Sequence, residues 1–339
     1  MAKRLTRSAT VLTGALLPMA LVAACSSGSG SSSTSSSSAA SGSKDIYLVS
    51  CSDQVPWCAK YNATAKAGFE AKSYKVTVLG NPFDPALQNQ HMNQAITAKP
   101  AAIVVLASDV NAIVPAVNRA TAAGIPVVNV DSPLPDGAKP SFSILNDHTA
   151  SGTFAAEGII AGLKTAGKTS ANILIAAGAL SMATTQTRLT SFGAGLAANP
   201  EYKVVSTIDT AWDQDKATQM SSQIFAQWQA KGGIQAVFAA NDLIALGVEK
   251  AAQQAGIPVG AKKGGLVIVS GNCLSPGVQA LKDDVLFTSA TQTPGPIAEA
   301  TVQQTVAALG GTRQPVVTFV PNHQITQQNV GEYASQCTF

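Results

Sequence analysis

From Lys44 onward, the sequence alternates short runs of β-branched and apolar residues with longer segments of helical character. Continuous apolar runs separated by helical segments are typical of parallel sheets whose strands are buried on both faces. The pattern therefore predicts an α/β fold. The predicted strands are 46–50, 76–79, 103–106, 127–130, 173–176, 204–208, 236–240 and 267–270, with a strand-like run at 286–290, and the predicted helices are 86–98, 110–123, 185–198, 216–229 and 243–255.

The same phrase ends a helix in each half of the chain. Ala-Gly-Ile-Pro occurs at 123–126 and again at 255–258. In both places the glycine stops the helix and the proline starts the approach to a strand. A repeat of this kind favours two similar units over one large sheet, so we predict two doubly wound, parallel-sheet lobes.

The first 24 residues have the composition of a secretion signal. Lys3, Arg4 and Arg7 precede an apolar stretch, 11–24, that is short for a bilayer span. The segment 21–25, Leu-Val-Ala-Ala-Cys, resembles a bacterial lipobox, in which the cysteine is acylated after cleavage just before it. An ordinary signal peptide that merely contains a cysteine is the alternative.

A run of small polar residues follows the first cysteine. Residues 26–43 are nearly pure Ser, Gly and Ala, a composition that cannot bury a core and behaves as a flexible spacer. We therefore expect a signal peptide at 1–24 and a tether at 25–44 that begins with lipidated Cys25. The protein would be exported and held on the outer face of the cell membrane by palmitate or a similar lipid.

The charge balance argues against a nucleic-acid partner. The formal net charge of +3 comes from 22 basic and 19 acidic residues, and three of the basic residues lie in 1–24, so 19 of each remain after cleavage. A neutral chain with few clustered Lys or Arg residues lacks the electrostatic footprint of a nucleic-acid binder. The remaining length suits two domains of ordinary size.

Four further cysteines, Cys51, Cys58, Cys273 and Cys337, suggest disulfides in an exported chain. Four cysteines allow three connectivities. Closeness in sequence favours Cys51–Cys58, which leaves Cys273–Cys337, and free buried thiols are the alternative. No CxxC pair or neighbouring histidine indicates a metal site.

Polar and aromatic residues follow the predicted strands. Ligands of doubly wound sheets lie beyond the carboxyl ends of the strands, so these residues are candidates for a binding site. Because they come from both halves of the chain, they can meet only if the two lobes face each other. They are Asp131, Ser132, Asn241, Asp242, Gly271, Asn272 and Gln292, with Trp57 and Trp212 in the loops after 46–50 and 204–208.

One stretch resembles a known family closely. Residues 235–247, QAVFAANDLIALG, are close to the AVFAxNDxxALG pattern of the ribose- and galactose-type periplasmic binding proteins. Supporting matches lie at 125–131, 188–192 and 291–292, in the family's order. The chain thus resembles type I periplasmic binding proteins, the sugar receptors of ABC importers, over nearly all of the sequence after the tether.

The resemblance implies a two-lobed fold of the Venus-flytrap kind, with three hinge segments and a sugar site in the cleft. The lobes would comprise 45–147 with 293–321 and 148–292 with 322–339. The positions that match the family's hydroxyl-binding residues are Asp131, Asn241, Asn272 and Gln292, and those that match its aromatic plates are Trp57 and Trp212.

The chain departs from the ribose-type pattern at several positions. Ser132 and Gln186 stand where arginines are usual, Asn272 stands where aspartate is usual, and Cys58 replaces an aromatic residue. These changes put ribose itself in doubt and disfavour a strongly anionic ligand. Gln186 is retained as a candidate contact, although it opens a helix and its alternative is a solvent-facing side chain. We interpret Arg188 as structural.

Each other candidate also has a structural alternative. Asn241 or Asp242 could serve only as the N-cap of the following helix, and Asp131 before Ser-Pro could be a turn residue. Trp57 could be buried by a disulfide loop, whereas acidic neighbours favour an exposed, ligand-facing Trp212.

Motifs for catalysis or nucleotide binding are weak. Residues 162–169, GLKTAGKT, fit the phosphate-loop pattern, but a helix precedes them and a strand follows, which inverts the order that phosphate binding needs. His91, His148 and His323 belong to no catalytic motif and are expected to be surface or satisfied polar residues. We expect no enzymatic activity, no cofactor and no metal.

Taken with the resemblance, these features predict a monomeric, lipid-anchored substrate-binding protein that delivers a small neutral sugar or polyol to ABC permease subunits. The alternative is a receptor that uses the same clamp to signal through a membrane chemoreceptor or kinase. A transcription regulator would need a DNA-binding helix-turn-helix ahead of the first strand, where the signal and tether lie.

Overall fold

The structure is a computed structural model that describes residues 42–339. The signal peptide, Cys25 and nearly all of the tether predicted above lie outside these residues. The strands of the described part are β1 (Asp45–Cys51), β2 (Lys75–Asn81), β3 (Ala102–Leu106), β4 (Val127–Asp131), β5 (Phe142–Asn146), β6 (Ala171–Ala177), β7 (Tyr202–Asp209), β8 (Ala236–Ala239), β9 (Val267–Val269), β10 (Ser289–Ala290), β11 (Val317–Val320) and β12 (Gln324–Ile325).

Helices connect most of these strands. They are α1 (Pro56–Glu70), α2 (Pro85–Ala98), α3 (Val114–Ala122), α4 (His148–Thr165), α5 (Ala183–Leu196), α6 (Gln214–Trp228), α7 (Asp242–Gln254), α8 (Ser275–Lys282), α9 (Pro294–Leu309) and α10 (Val330–Tyr333). Among residues 42–339, no helix combines the length and apolarity needed to cross a membrane.

The first lobe is a six-stranded parallel sheet in the order β11-β5-β4-β3-β1-β2. Its strands are continuous apolar runs because both faces are covered by helices. On one face, Tyr61 and Phe69 of α1 pack with Ile297 of α9 against the sheet. On the other face, α2 and α3 contribute Met92 and Val117 to a second core.

The second lobe is a four-stranded parallel sheet in the order β7-β6-β8-β9. One core lies between this sheet and helices α6 and α7, where Phe225 and Val248 are buried. The other core lies under α4 and α5 and contains Ile159 and Phe192. The prediction of two doubly wound lobes is therefore confirmed, and both sheets direct the carboxyl ends of their strands toward loops that can share one site.

The chain passes between the two sheets three times, as the three-segment hinge predicts. It crosses from β5 to α4 at 146–148, from β10 to α9 at 290–294, and from β11 to β12 at 320–324. The short antiparallel pair β10–β12 ties the last two crossings together. The exact lobe boundaries given above stay a prediction.

All eight main predicted strands and all five predicted helices are present, with shifts of a few residues at their ends. Helix α4 is the helix expected ahead of residues 162–169, whereas α1, α8, α9 and α10 were not predicted. The loop expected around Trp57 is wrong, since Pro56 begins α1 and Trp57 lies in its first turn. The segment 162–169 does join helix α4 to strand β6, the inverted order expected for a false phosphate loop.

Both disulfides predicted from sequence spacing are present. Cys51–Cys58 links the end of β1 to the first turn of α1, and Cys273–Cys337 links the segment after β9 to the C-terminal tail. Phe339 also accepts a hydrogen bond through its backbone oxygen from Ser275 N. The tail is therefore fixed beside the loop that carries Asn272.

Candidate functional site

A cavity lies between the two lobes, at the carboxyl ends of their strands. It encloses about 510 Å³ of space free of protein atoms, a volume that includes its open mouth. Both sheets and the hinge contribute to its wall, so one molecule inside it would touch both lobes. The cavity is lined by Cys51, Val55, Trp57, Cys58, Phe83, Leu106, Asp131, Met182, Thr184, Arg188, Trp212, Asn241, Asn272 and Gln292.

Six of the seven ligand-binding residues proposed from the sequence line this cavity. They are Trp57, Asp131, Trp212, Asn241, Asn272 and Gln292. The placement of Gln186 in the site is wrong. Its side chain is exposed on α5 and donates a hydrogen bond to Leu180 O outside the cavity. Two residues later on the same helix, Arg188 faces the cavity instead.

Asp131 closes strand β4 in a left-handed backbone conformation, with φ of 79°. Its Oδ1 accepts hydrogen bonds from Asn146 Nδ2 at 2.8 Å and Gln292 Nε2 at 3.4 Å, and His148 Nε2 lies 3.3 Å away. Its Oδ2 accepts from the hydroxyls of Ser132 and Thr184. One carboxylate thus joins the first lobe, the hinge and the second lobe.

The surroundings keep Asp131 ionised. Burial alone would raise the pKa of this carboxyl, but His148, the Asn146 amide and Arg188 together hold the pKa well below its usual range. The negative charge is therefore a permanent part of the site at any pH at which cells live.

Arg188 carries the opposing positive charge. It is 3% exposed, and its Nη1 donates to the backbone oxygen of Ala240 at 2.7 Å. Its Nη2 donates to Gln292 Oε1 and lies 3.4 Å from His148 Nδ1. Burial lowers the pKa of Arg188 to about 10, an effect that Asp131 partly offsets, so the guanidinium stays charged. The structural role assigned from the sequence is incomplete, because Arg188 also lines the cavity.

Trp212 forms part of the second-lobe wall. Its backbone φ is 65°, and its Nε1 donates to Met182 Sδ at 3.1 Å. The ring lies against Gly178, where an added Cβ would come within 2.3 Å of the indole. The guanidinium carbon of Arg188 is 5.7 Å from the ring centroid on another side. Glycine at 178 is therefore what allows the ring to lie flat against the end of β6.

Trp57 occupies the facing wall. Its ring stacks on Tyr61 with centroids 5.5 Å apart, and its Nε1 donates to the backbone oxygen of Gln292 at 3.0 Å. The Cys51–Cys58 disulfide fixes the turn from β1 into α1 that presents this ring. The first lobe thus holds an indole in place through one helix turn, one disulfide and one bond to the hinge.

Asn241 combines both roles considered for it. It is the N-cap of α7, where its Oδ1 accepts from Ile244 N at 2.8 Å, and it also lines the cavity. Asn272 is 7% exposed, has φ of 84°, and its buried Oδ1 has no hydrogen-bond partner among the described residues. A buried carbonyl oxygen without a donor is costly, so this atom suits a ligand that donates to it.

Asp242 supports the site from behind. It is fully buried, and its carboxylate accepts from Ser270 Oγ, Ser289 Oγ at 2.9 Å and Leu274 N at 2.7 Å. These bonds fix the loop that carries Asn272. Burial raises the pKa of Asp242 to about 6, although the three hydrogen bonds oppose the rise.

The raised pKa predicts a pH-dependent stability. The unfolded value is 3.8, so the folded protein binds this proton more tightly, and the resulting stabilisation is lost as the pH rises from 4 to 6. The loss amounts to about 3 kcal/mol at 1.36 kcal/mol per pKa unit. Asp131 does not oppose this change, because its lowered pKa costs stability only below about pH 4.

Urea unfolding of the wild type and Asp242→Asn at pH 4.5, 5.5 and 7 measures this effect. As the pH rises, the free energy of unfolding should fall in the wild type but not in Asp242→Asn, so the difference between the two proteins should change in favour of the variant. Asp136→Asn, on an exposed loop, serves as the control and should follow the wild type at every pH. An equal pH slope in wild type and Asp242→Asn would show that the buried carboxyl does not titrate in this range.

Sequence reasoning missed several residues of the wall. Phe83 and Leu106 lie at or just after the ends of β2 and β3, where the strand-end rule could have found them. Met182 and Thr184 begin helix α5, and Arg188 lies one turn further along it. Their approach to the cavity depends on how α5 packs across the sheet, which no local pattern reveals.

Residues 46–313 match the family model described as the periplasmic binding protein domain. The chain belongs to the periplasmic binding protein family. Among curated proteins, it is 26% identical to the ribose import binding protein of Salmonella typhimurium over 79% of this chain and 86% of that protein. The Escherichia coli ribose import binding protein is 25% identical over the same shares.

Solved structures show the same two-lobed fold. A galactofuranose binding protein superposes with a TM-score of 0.79 and 16% identity, covering 86% of this chain and 98% of the other. A Mycobacterium smegmatis protein in complex with β-D-fucofuranose gives 0.78 and 18%, covering 86% and 94%. A Bacillus halodurans solute-binding protein with bound myo-inositol gives 0.77 and 21%, covering 87% and 99%.

The family confirms the resemblance drawn from residues 235–247 and the type I fold. Because the family and its curated relatives are binding proteins of transport systems, the chain is a binding protein and not an enzyme. Among residues 42–339, no three His, Cys, Asp or Glu side chains are grouped as a metal site would require.

Proposed function

We propose that this periplasmic binding protein captures a small neutral sugar or polyol in the interlobe cavity and delivers it to the permease of an ABC importer. The observation that carries the proposal is the convergence of Trp57 from the first lobe, Gln292 from the hinge, and Trp212 and Asn241 from the second lobe on one cavity. The curated relatives are ribose import proteins, and neighbouring structures hold neutral sugars or myo-inositol.

The residue types suit a hydroxyl-bearing ligand. Each hydroxyl that is buried without a partner costs roughly 1–3 kcal/mol, so a sugar site needs amides and charged groups that replace water. Asn241, Asn272 and Arg188 can provide such contacts. The indoles of Trp57 and Trp212 can cover C–H surface at low conformational cost.

The paired charges disfavour a charged ligand. Asp131 and Arg188 already balance each other through Gln292 and His148, so an added anion or cation would upset a buried, neutral network. A ligand that bridges the lobes would stabilise the closed state, because only that state offers both sets of contacts. The closed protein is then the form that a permease can distinguish from the empty one.

A thermal-shift screen of the ligand-free protein against sugars and polyols tests the proposal. A ligand at 100 times its dissociation constant should stabilise the fold by about 2.7 kcal/mol. For a protein of this size, that corresponds to a rise in melting temperature of about 4 °C. Calorimetry on each hit gives the affinity. If no neutral sugar or polyol shifts the melting temperature while another class of solute does, the proposed ligand class is wrong.

The lipid anchor at Cys25 is a separate proposal, supported by the lipobox-like residues 21–25 and the Ser-rich tether. We expect Cys25→Ala to move the protein from the membrane fraction to the soluble extracytoplasmic fraction, measured by sedimentation and immunoblotting. Ser31→Ala, a substitution in the tether outside the lipobox, is the matched control and should stay with the membranes. Sedimentation of Cys25→Ala with membranes would contradict the anchor.

A further inference from the structure

The two lobes contribute different surfaces to the wall of the cavity. Apart from Asp131, the first lobe contributes the Cys51–Cys58 disulfide, Val55, Phe83 and Leu106 beside the ring of Trp57. The second lobe contributes Thr184, Arg188, Asn241 and Asn272, together with the apolar side chains of Met182 and Trp212. A molecule inside the cavity therefore meets a mostly apolar surface on the first lobe, and most of the hydrogen-bonding groups of the wall lie on the second lobe.

Polar residues near the strand ends of the first lobe are engaged within that lobe. The Asn81 amide donates to Ser50 O at 2.8 Å and accepts from Ser108 Oγ at 2.8 Å. Gln88 is buried and bonds Leu106 O and Ser108 N. These bonds hold the lobe's polar side chains away from the cavity and leave the disulfide and Leu106 as its surface.

The polar groups at the centre of the site are also paired. Both oxygens of Asp131 accept hydrogen bonds from protein groups, and Trp57 Nε1 donates to the backbone of Gln292. The Gln292 amide bonds Arg188 through its oxygen and Asp131 through its nitrogen. A ligand that bonds Asp131 would therefore compete with these protein donors, whereas the second N–H of the Gln292 amide has no partner among the described residues.

Among the residues that line the cavity, those with buried and unpaired side-chain atoms belong to the second lobe. Arg188 Nε and Asn272 Oδ1 are buried and have no partner among the described residues. Within the same part of the chain, no acceptor bonds the side-chain nitrogen of Asn241, whose oxygen caps α7. Two donors and one acceptor of the lining residues therefore have no protein partner, and all three belong to the second lobe.

We propose that the ligand is a deoxy sugar, with a methyl or methylene group in place of a hydroxyl on the face that meets the first lobe. This inference rests on the proposed function and narrows it. A hydroxyl buried against Leu106 and the disulfide would lose its water without gaining a partner, whereas a methyl group would gain apolar contact. The deoxy form should therefore bind about tenfold tighter than its parent sugar, or better.

Calorimetry with matched pairs of sugars tests the inference on the wild-type protein. The pairs are L-rhamnose with L-mannose, D-fucose with D-galactose, 6-deoxy-D-glucose with D-glucose, and 2-deoxy-D-ribose with D-ribose. In the pair that binds most tightly, the deoxy member should have the lower dissociation constant by about tenfold or more.

A variant that makes the wall polar should weaken the preference for the deoxy sugar. Leu106→Asn keeps the side chain's size and places an amide beside the cavity, so the ratio of the two dissociation constants should fall toward one. Leu134→Asn changes a half-buried leucine of the same lobe outside the cavity and should leave the ratio unchanged. If Leu106→Asn does not fold, Val55→Thr adds a hydroxyl at the cavity wall and replaces it in the test.

The outcomes separate the two proposals. Tighter binding of parent sugars in every pair that binds would overturn the deoxy-sugar inference and leave the sugar-binding function standing. Failure of all eight sugars to bind, together with failure of the wider screen, would overturn both.

Discussion

Replacing Trp212 by alanine should reduce the affinity for the cognate sugar at least 100-fold while leaving the protein folded. The indole lies against Gly178 on one side and lines the cavity on another. A tryptophan ring can bury roughly 150–250 Å², so losing its contact with a ligand removes several kcal/mol at about 25 cal/mol per Å². The ring is partly buried and packs against the edge of the second-lobe core, so we expect Trp212→Ala to lower the melting temperature as well as the affinity, with the protein still folded.

The matched control for this prediction is Trp228→Ala. Trp228 ends α6 and packs against the second-lobe core, but it does not line the cavity. Its removal should lower the melting temperature and leave the dissociation constant unchanged. Calorimetry gives the affinities and thermal unfolding gives the stabilities. Near-wild-type affinity in Trp212→Ala would remove this ring from the binding site.

Arg188→Met should destabilise the protein by about 3–5 kcal/mol, the cost of removing one member of a buried charged pair. Without the guanidinium, Asp131 loses a balancing charge, and both Ala240 O and Gln292 Oε1 lose their donor. At about 1.6 °C for each kcal/mol in a protein of this size, the melting temperature should fall by about 5–8 °C.

The control for the arginine is Arg119→Met on the exposed face of α3. Arg119 bonds only the exposed side chain of Asn93, so its removal should cost less than about 0.5 kcal/mol. In the double variant Arg188→Met with Asp131→Asn, part of the lost stability should return, since neither charge then remains alone. Equal melting temperatures of Arg188→Met and wild type would show that the buried charges do not depend on each other.

Much of the site could be predicted from the sequence, because parallel strands carry their functional residues at one end. Asp131, Asn241, Asn272 and Gln292 each follow an apolar run, and the fold brings the carboxyl ends of those runs to one cleft. The strand-end rule succeeds for these residues because the course of the backbone alone places their side chains at the cleft. It holds for both sheets.

Helix residues were harder to place. Gln186 and Arg188 are two positions apart on α5, and two positions on a helix differ by about 200° in direction, so one faces solvent when the other faces the sheet. The sequence does not say which face of α5 meets the cleft. The family pattern suggested Gln186 as the residue of α5 that lines the cavity, whereas the packing of α5 places Arg188 there.

The apolar wall of the first lobe could not be predicted for a similar reason. Asn81 and Ser108 follow strand ends as the expected ligand contacts do, yet they bond each other. The strands that carry them, β2 and β3, flank β1, so only the arrangement of the strands in the sheet decides whether the two side chains meet or remain available. Pairing across strands is a tertiary property, and the sequence alone leaves it open.

Because the Cys51–Cys58 disulfide lies at the cavity, the measured affinity of a sample should depend on whether this disulfide is formed. Both cysteines line the cavity, and the bridge also sets the turn that presents Trp57. Protein prepared in a reducing cytoplasm would carry two thiols and a looser turn in this place. The reduced and the oxidised protein would then have different dissociation constants for the same ligand.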